Sequence, residues 1–383
     1  MRILLLGEYS RLHNSLKEGL VALGHEVVLV GDGDGFKDYP VDFSIEAKWS
    51  KNKLINIIRQ IIAKIFKFDF AKLEHGIRFY FLLSKLKGFD IVQLINESPV
   101  QTNQRFELFL LKKIVQQNKN IFLLCCGIDY AVVQHMLLKK ERYSIMNPYF
   151  ESNKEAKKEI DFILTYNTKS HYKIHQFIYE NCKGIIASDI DYVNPIKDHE
   201  KYLGLIPNPI NRERIRYIEN TTTNKIIIFL GINTFNYYTK GIVFFEKALA
   251  IIKEKYADKV DIIVTKNIAY NKYINLYDKA HILLDQVYAF DQGYNALEAM
   301  AKGKVVFTGA ESAFENYYNI TEKVAINALP DVDYLVDELS FLIENPHEIE
   351  VIGKNASNFI EKEHNYKAIA KQYFEKWMAG IHK

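Results

Sequence analysis

The sequence has few cysteines, no long apolar run and almost no net charge. Its three cysteines, Cys125, Cys126 and Cys182, are too few and too unevenly spaced for a disulfide framework or a zinc site, so we expect a reducing, cytoplasmic location. Because no run of about 18 uncharged apolar residues occurs, we expect no segment to span a bilayer. A formal charge of +3 on 383 residues does not indicate nucleic-acid binding.

Two kinds of glycine-rich phosphate loop are also missing. After the first strand-like run the chain reads Gly7-Glu8-Tyr9-Ser10, without the three glycines of a dinucleotide-binding turn, and no P-loop occurs elsewhere. A dehydrogenase or an NTPase is therefore disfavoured. The opening MRILLLG is too short for the apolar core of a signal peptide, and we expect none.

What the sequence does contain is two series of strand-like runs separated by helix-like segments. The first series comprises residues 3–6, 26–30, 90–95, 121–124 and 162–165. The second comprises residues 225–231, 260–264, 281–284 and 305–307. This alternation predicts an α/β fold with two doubly wound, Rossmann-like halves and a ligand cleft between the carboxyl ends of their sheets.

Residues 291–309 carry the most informative pattern, because a glycine, a helix of small residues and a strand follow in succession. Gly293 leaves the N–H groups of Tyr294 and Asn295 free at a helix start, which suits a phosphate. Glu298 lies about one and a half turns further on. Its carboxylate is placed to accept both hydroxyls of a ribose, and the alternative is a glutamate on the exposed edge of the helix.

This segment resembles the nucleotide-sugar segment of the group 1, or family 4, retaining glycosyltransferases, where a helix reading LEAMA-x-G-x-x-V follows a glycine. The likeness extends to the junction LIPNPI at residues 205–210, to residues 229–231 with Thr239-Lys240-Gly241, and to residues 345–377. It implies the GT-B fold, with an acceptor-binding domain at residues 1–205, a nucleotide-sugar domain at residues 206–365, and a terminal helix at residues 366–383 that returns to the first domain.

The resemblance implies roles for particular residues. Donor binding is expected from Gly7, Asn233, Lys240, Asp291, Gly293, Tyr294, Asn295 and Glu298. Catalysis is expected from Asp129, Lys240 and Glu298, and acceptor binding from Tyr9, His13 and Glu97. Each has a simpler interpretation: Asp129 as a helix N-cap, Lys240 as a solvated loop lysine, Tyr9 and His13 as surface residues, and the Glu97 loop as a turn.

The chain departs from the family pattern at three places. Phe290 stands where a second acid usually meets the donor sugar, with Asp291 one residue away and Asp285 five residues earlier. Asn233 stands in a loop that normally carries an arginine, and Cys126 replaces a histidine. In the implied mechanism the leaving diphosphate itself accepts the acceptor's proton, so stabilising its charge is the main task.

Two further patterns concern partners. Between Lys48 and Lys87 there are ten Lys or Arg residues and two acids, and apolar residues recur at helical spacing from Leu54 to Ile65. This predicts a basic amphipathic helix on an anionic membrane, or else an ordinary domain helix. The Asp-x-Asp spellings at residues 32–34 and 189–191 occur often by chance, and we expect no metal site.

Together these observations predict a cytoplasmic, metal-independent retaining glycosyltransferase. If the basic helix in residues 48–87 is a membrane-surface helix rather than an ordinary domain helix, the protein is also peripheral on the inner face of the membrane. A nucleotide-diphosphate sugar would be its co-substrate, and we expect no other cofactor. Its partner would be a glycan or lipid-linked acceptor in bacterial surface polysaccharide assembly. The alternatives are a sugar-nucleotide-binding protein that has lost turnover and a sugar-nucleotide epimerase on the same fold.

Overall fold

The computed structural model describes residues 1–49, Arg59 and residues 69–222, 224–268 and 270–382. Within them, seven parallel strands form the first sheet in the order β3-β2-β1-β4-β5-β6-β7. These strands are β1 (Arg2–Leu6), β2 (Glu26–Gly31), β3 (Phe43–Ser44), β4 (Ile91–Leu94), β5 (Ile121–Cys125), β6 (Gly184–Ala187) and β7 (Tyr202–Leu205).

The second sheet has five parallel strands in the order β12-β11-β10-β8-β9, again among the described residues. They are β8 (Ile226–Ile232), β9 (Val260–Lys266), β10 (Ile282–Leu284), β11 (Val305–Thr308) and β12 (Ile326–Asn327). Strands β4, β5, β10 and β11 are buried along their whole length. Helices on both faces of a parallel sheet explain why these strands are continuous apolar runs rather than alternating ones.

Helices connect the strands of each sheet. Those of the first domain are α1 (Leu12–Ala22), α2 (Phe70–Leu82), α3 (Gln104–Gln117), α4 (Tyr130–Leu137), α5 (Asn147–Phe150), α6 (Lys157–Leu164) and α7 (Lys169–Asn181). The second domain and the C-terminal segment carry α8 (Ile242–Lys255), α9 (Tyr270–Tyr277), α10 (Tyr294–Ala301), α11 (Ser312–Tyr318), α12 (Val332–Glu344), α13 (Pro346–Glu363) and α14 (Tyr366–His382). Short 3-10 turns lie at Gly35–Lys37, Leu83–Lys85 and Ile190–Tyr192.

The strand predicted at residues 162–165 is wrong, because these residues lie at the end of α6 and in its C-cap. Ile160 and Ile163, three positions apart, form the buried face of this helix. A short apolar run fits a strand and a buried helix equally well when periodicity is the only guide. The strand beside β5 on the edge away from β4 is β6, further along the chain, and the sequence analysis missed both β6 and β7.

The last helix, α14, lies on the first domain beside α1. Gly19 of α1 makes this close approach possible, since a Cβ there would lie 2.4 Å from the carbonyl oxygen of Tyr366. Trp377 is fully buried, and its indole Nε1–H donates to Oε1 of the buried Gln93 in β4 at 2.7 Å. The C-terminal segment therefore connects the two domains by packing as well as by the chain.

The predicted basic amphipathic helix falls mostly on residues 50–58 and 60–68, which lie outside the described residues, so it stays a prediction. In the part of the chain that is described, no helix is both long enough and apolar enough to cross a bilayer.

Candidate functional site

A cavity of about 810 Å³ lies where the carboxyl ends of the two sheets face each other. The first domain contributes the loops after β1 and β2, and the second domain contributes the loops after β8, β9 and β10 and the start of α10. The lining residues are Ser10, Lys37, Tyr39, Gly231, Ile232, Asn233, Asn236, Lys240, Thr265, Asn267, Ile268, Tyr273, Asp285, Gln286, Gly293, Tyr294, Asn295 and Glu298.

The start of α10 opens into this cavity. Gly293 is its N-cap, with extended backbone angles (φ −69°, ψ 163°), and no side chain among the described residues caps the helix. A Cβ on Gly293 would lie 3.9 Å from the nearest atom, Nε2 of Gln286, so there is open space over the helix start. The first amides of α10 and the positive end of its dipole are thus available to an anion.

Glu298 lines the same cavity five positions after Gly293. Burial raises the pKa of its carboxyl group, while Lys302 on its own helix and Lys37 and Arg11 of the first domain oppose that rise. No described residue forms a hydrogen bond with this carboxylate. A half-buried carboxylate without a protein partner is a strong acceptor for ligand hydroxyl groups.

Lys240 and Asp285 form an ion pair on the wall of the cavity, with Nζ 2.9 Å from Oδ1. Asn295 donates to the same oxygen at 3.3 Å, whereas Oδ2 of Asp285 is buried and has no hydrogen-bond partner among the described residues. Gly241 fixes the turn that carries Lys240, because its φ is +67° and a Cβ there would lie 2.2 Å from Val287. The lysine predicted as a diphosphate partner is therefore held beside the open helix start.

Asp291 does not line the cavity, although the sequence reading included it in the donor set. Its Oδ2 accepts from the backbone N–H of Ile190, across the domain boundary, at 3.1 Å. In return, Asp191 accepts from the backbone N–H groups of Phe290 and Asp291 at 3.1 to 3.2 Å. Asp191 and Asp291 thus form a reciprocal interdomain clamp, which fixes the loop that leads into Gly293.

Gly7, Tyr9 and His13 also lie outside the cavity lining. A Cβ on Gly7 would lie 2.2 Å from Cγ2 of Ile95, so this glycine permits close packing beneath the cleft. His13 is fully buried, with Nδ1 2.7 Å from the carbonyl oxygen of Gly7, and burial lowers its pKa to about 3. The hydroxyl of Tyr9 accepts from Nδ2 of Asn96 at 3.2 Å.

Glu97 and Asp129 meet at the start of α4 rather than in the donor cavity. Asp129 caps α4 by accepting from the N–H of Val132 at 2.9 Å, and Glu97 accepts from the N–H of Tyr130 at 3.2 Å. Glu97 also pairs with Nδ1 of His175 at 2.7 Å. Burial raises the pKa of each of the two carboxyl groups to about 8. The helix-capping role considered for Asp129 is present in the structure.

One of the three departures from the family pattern has a local structural explanation. The ring of Phe290 stacks on Tyr143 of the first domain, with ring centroids 5.2 Å apart, so it contributes to the domain contact. Cys126 follows β5 outside the cavity lining, and burial raises the pKa of its thiol to about 12. The third departure, Asn233, does line the cavity.

Sequence reasoning missed the contribution of the loop after β2. Lys37 and Tyr39 line the cavity from the first domain, together with Ser10. The only local signal is the glycine-rich run GDGDG at residues 31–35, which indicates a tight turn but not its destination.

Comparisons with known proteins agree with this architecture. Residues 242–375 match a family model described as glycosyl transferase-like. A search of curated protein sequences found no significant match.

Similar solved structures extend over the whole chain. Sucrose-phosphate synthase from Thermosynechococcus elongatus is 15% identical with a TM-score of 0.62, covering 100% of this chain and 99% of its own. HepE from Anabaena, in complex with UDP and glucose, is 11% identical with a TM-score of 0.57, at 99% and 100% coverage. UDP-GlcNAc 2-epimerase from Neisseria meningitidis, bound to UDP-GlcNAc, is 12% identical with a TM-score of 0.50, also at 99% and 100%.

At these identities the solved structures establish the fold alone. The family model matches residues 242–375, which comprise most of the second domain and part of the last helix. The chain has the GT-B fold, and its resemblance to the group 1 glycosyltransferases is confirmed.

Proposed function

We propose that the protein is a retaining glycosyltransferase that moves a sugar from a nucleotide-diphosphate sugar to a glycan or lipid-linked acceptor. One observation carries the proposal: a single cavity joins the open start of α10, the ammonium group of Lys240 and the carboxylate of Glu298, which has no hydrogen-bond partner among the described residues. In this assignment Glu298 accepts the ribose hydroxyls. The diphosphate lies over the amides of residues 293–295 and against Lys240.

The same groups account for the chemical step. When the bond between the sugar and the diphosphate breaks, negative charge develops on the leaving oxygen. The helix amides and Lys240 stabilise that charge without rearranging at the moment of reaction. Besides Ser10, the first domain supplies only Lys37 and Tyr39 to the described cavity lining. We therefore propose that the leaving diphosphate accepts the acceptor's proton, and we assign no proton transfer to Asp129.

Asp285 is the acid that we propose to meet the donor sugar in place of Phe290. Its Oδ2 has no hydrogen-bond partner in the described part of the chain, and its Oδ1 would compete with a bound diphosphate for Lys240. When Lys240 turns to the diphosphate, both oxygens become acceptors for sugar hydroxyls. Asp291 is unsuited to this role because the interdomain clamp occupies it.

The acceptor would lie on the first domain, at the carboxyl edge of its sheet, where Tyr9, His13 and Glu97 remain our candidates. Metal-independent transfer, a hexosyl donor and a role in bacterial surface polysaccharide assembly are parts of the same proposal. So is a cytoplasmic location with peripheral membrane contact through residues 48–87. HepE, which shares the fold, was solved with UDP and glucose, which supports a uridine nucleotide as the first donor to test.

The experiment is to incubate the protein with UDP-, GDP- and ADP-sugars and to follow them by proton NMR. We expect slow release of free sugar with the anomeric configuration of the donor, and loss of this release in a Glu298→Gln variant. Release with inverted configuration, or equal release by the variant, would contradict the proposal.

A second candidate function is nucleotide-sugar binding without turnover. It is favoured by Phe290, which packs on Tyr143 where an acid would be needed, and by the position of Cys126 outside the cavity lining. In the NMR experiment this candidate predicts tight binding with no sugar released. Conversion of the donor to an epimer would instead indicate an epimerase.

A further inference from the structure

The loop after β2 folds back toward the loop after β1. Its residues Gly33, Asp34, Gly35 and Asp38 all have left-handed backbone angles, with φ between 50° and 78°. The N–H of Tyr39 donates to the carbonyl oxygen of Gly33 at 2.9 Å and closes the turn. This tight path brings Lys37, at the end of the 3-10 turn Gly35–Lys37, to the interdomain cavity.

Two hydrogen bonds hold the ammonium group of Lys37 at the cavity. Its Nζ donates to Oδ2 of Asp34 at 2.7 Å and to Oγ of Ser10 at 2.9 Å. The same Asp34 oxygen accepts from the backbone N–H of Ser10 at 2.8 Å, which connects the two loops. An ammonium group has three N–H donors, so one of them remains for a ligand in the cavity that Lys37 lines.

The ammonium group of Lys37 and the carboxylate of Glu298 line the same cavity from different domains. Lys37 is among the charges that oppose the rise in the pKa of Glu298, which belongs to the other domain. Lys240 lines the cavity from the second domain, where it pairs with Asp285. A diphosphate lying between ribose and sugar would therefore meet one lysine from each domain.

We propose that Lys37 is a donor-binding residue, whose third N–H bonds an oxygen of the phosphate next to the ribose. Donor binding then depends on both domains, although most of the cavity belongs to the second. This inference rests on the proposed function, because it requires a nucleotide in the cavity with its ribose at Glu298.

The test is calorimetric titration of wild type and Lys37→Ala with UDP, GDP and ADP, and with the matching monophosphates and nucleosides. One charge-assisted hydrogen bond corresponds to a roughly 10- to 150-fold loss of affinity. We expect this loss for both diphosphate and monophosphate, no change for the nucleoside, and a weaker salt dependence. A Lys37→Arg variant, which keeps the charge, should retain part of the affinity.

Lys17→Ala is the matched control, since Lys17 is a lysine of the same domain that pairs with Asp42 outside the cavity lining. Affinity of Lys37→Ala within twofold of wild type, or an equal loss for the nucleoside, would overturn the inference. If Glu298→Gln loses affinity and Lys37→Ala does not, only this inference fails. If neither variant changes nucleotide affinity, or wild type binds no nucleotide, the proposed function fails with it.

Discussion

Replacing Glu298 by glutamine keeps the size of the side chain and removes its charge. In the free protein the carboxylate has no hydrogen-bond partner among the described residues, and burial raises its pKa. If it accepts two ribose hydroxyls, each bond to the charged group contributes about 1.5–3 kcal/mol. The amide oxygen can replace one of them, so we expect nucleotide affinity to fall roughly 10- to 150-fold.

The same substitution should stabilise the free protein. Because the folded-state pKa of Glu298 lies above its unfolded value, the folded state binds more protons, and its stability falls as pH rises through this interval. Glutamine removes that penalty, so at neutral pH we expect the melting temperature to stay equal or rise while affinity falls. A purely structural role would lower both.

The assay is calorimetric titration with UDP and 2′-deoxy-UDP, beside thermal melting, with Glu254→Gln as the control. Glu254 is an exposed glutamate on α8 of the same domain. Wild type should prefer the ribonucleotide, and the preference should shrink in Glu298→Gln. The reasoning is refuted if the variant binds UDP within twofold of wild type, or if wild type does not distinguish the two nucleotides.

Three more predictions concern neighbouring parts of the structure. Gly293→Val should leave the melting temperature unchanged, because φ at Gly293 is −69° and no atom crowds the new Cβ. The valine side chain would cover the first amides of α10, so UDP binding should weaken more than about tenfold. Unchanged binding would contradict an anion site there. Gly309→Ala, by contrast, places a Cβ 2.5 Å from the carbonyl oxygen of Asp291 and should lower the melting temperature. Trp377→Ala removes a fully buried ring and should reduce the free energy of unfolding, measured in urea, by about 3–5 kcal/mol. A loss below about 1 kcal/mol would show that the packing of α14 contributes little to stability. In the clamp, burial and the neighbouring charge of Asp291 raise the pKa of Asp191 to about 7, so the folded state binds more protons and stability should fall as pH rises from about 4 to about 7. Asp191→Asn should flatten this pH dependence of the melting temperature, and an unchanged slope would exclude Asp191 as its source.

The parts of the site that follow one another in the chain could be predicted from the sequence. Gly293 and Glu298 belong to one short helix, so the helix geometry sets the distance and direction between them independently of the rest of the fold. Lys240 was predicted from the resemblance of Thr239-Lys240-Gly241 to a loop of the family, and the φ of +67° at Gly241 explains why a glycine follows the lysine. The alternating strands and helices likewise predicted two α/β sheets.

What could not be predicted depends on contacts between distant segments. Nothing in the sequence indicates that Lys37 reaches a cavity formed mainly by residues 231–298, because this depends on the path of a turn with four left-handed residues. Asp291 was predicted as a donor residue because it lies next to the motif position Phe290, and the sequence does not show that the N–H of Ile190, about a hundred positions earlier, donates to its carboxylate. The error at residues 162–165 is of another kind, since helix and strand share the same short apolar pattern there.

The central claim is that a nucleoside diphosphate binds with its pyrophosphate on the first amides of α10 and its ribose on Glu298. A crystal structure of the protein with UDP, or with whichever nucleoside diphosphate binds most tightly in titration, tests this directly. The account predicts phosphate oxygens within hydrogen-bond distance of the amides of residues 293–295 and both ribose hydroxyls on the Glu298 carboxylate. A pyrophosphate bound elsewhere, or Glu298 turned toward solvent in the complex, would contradict it.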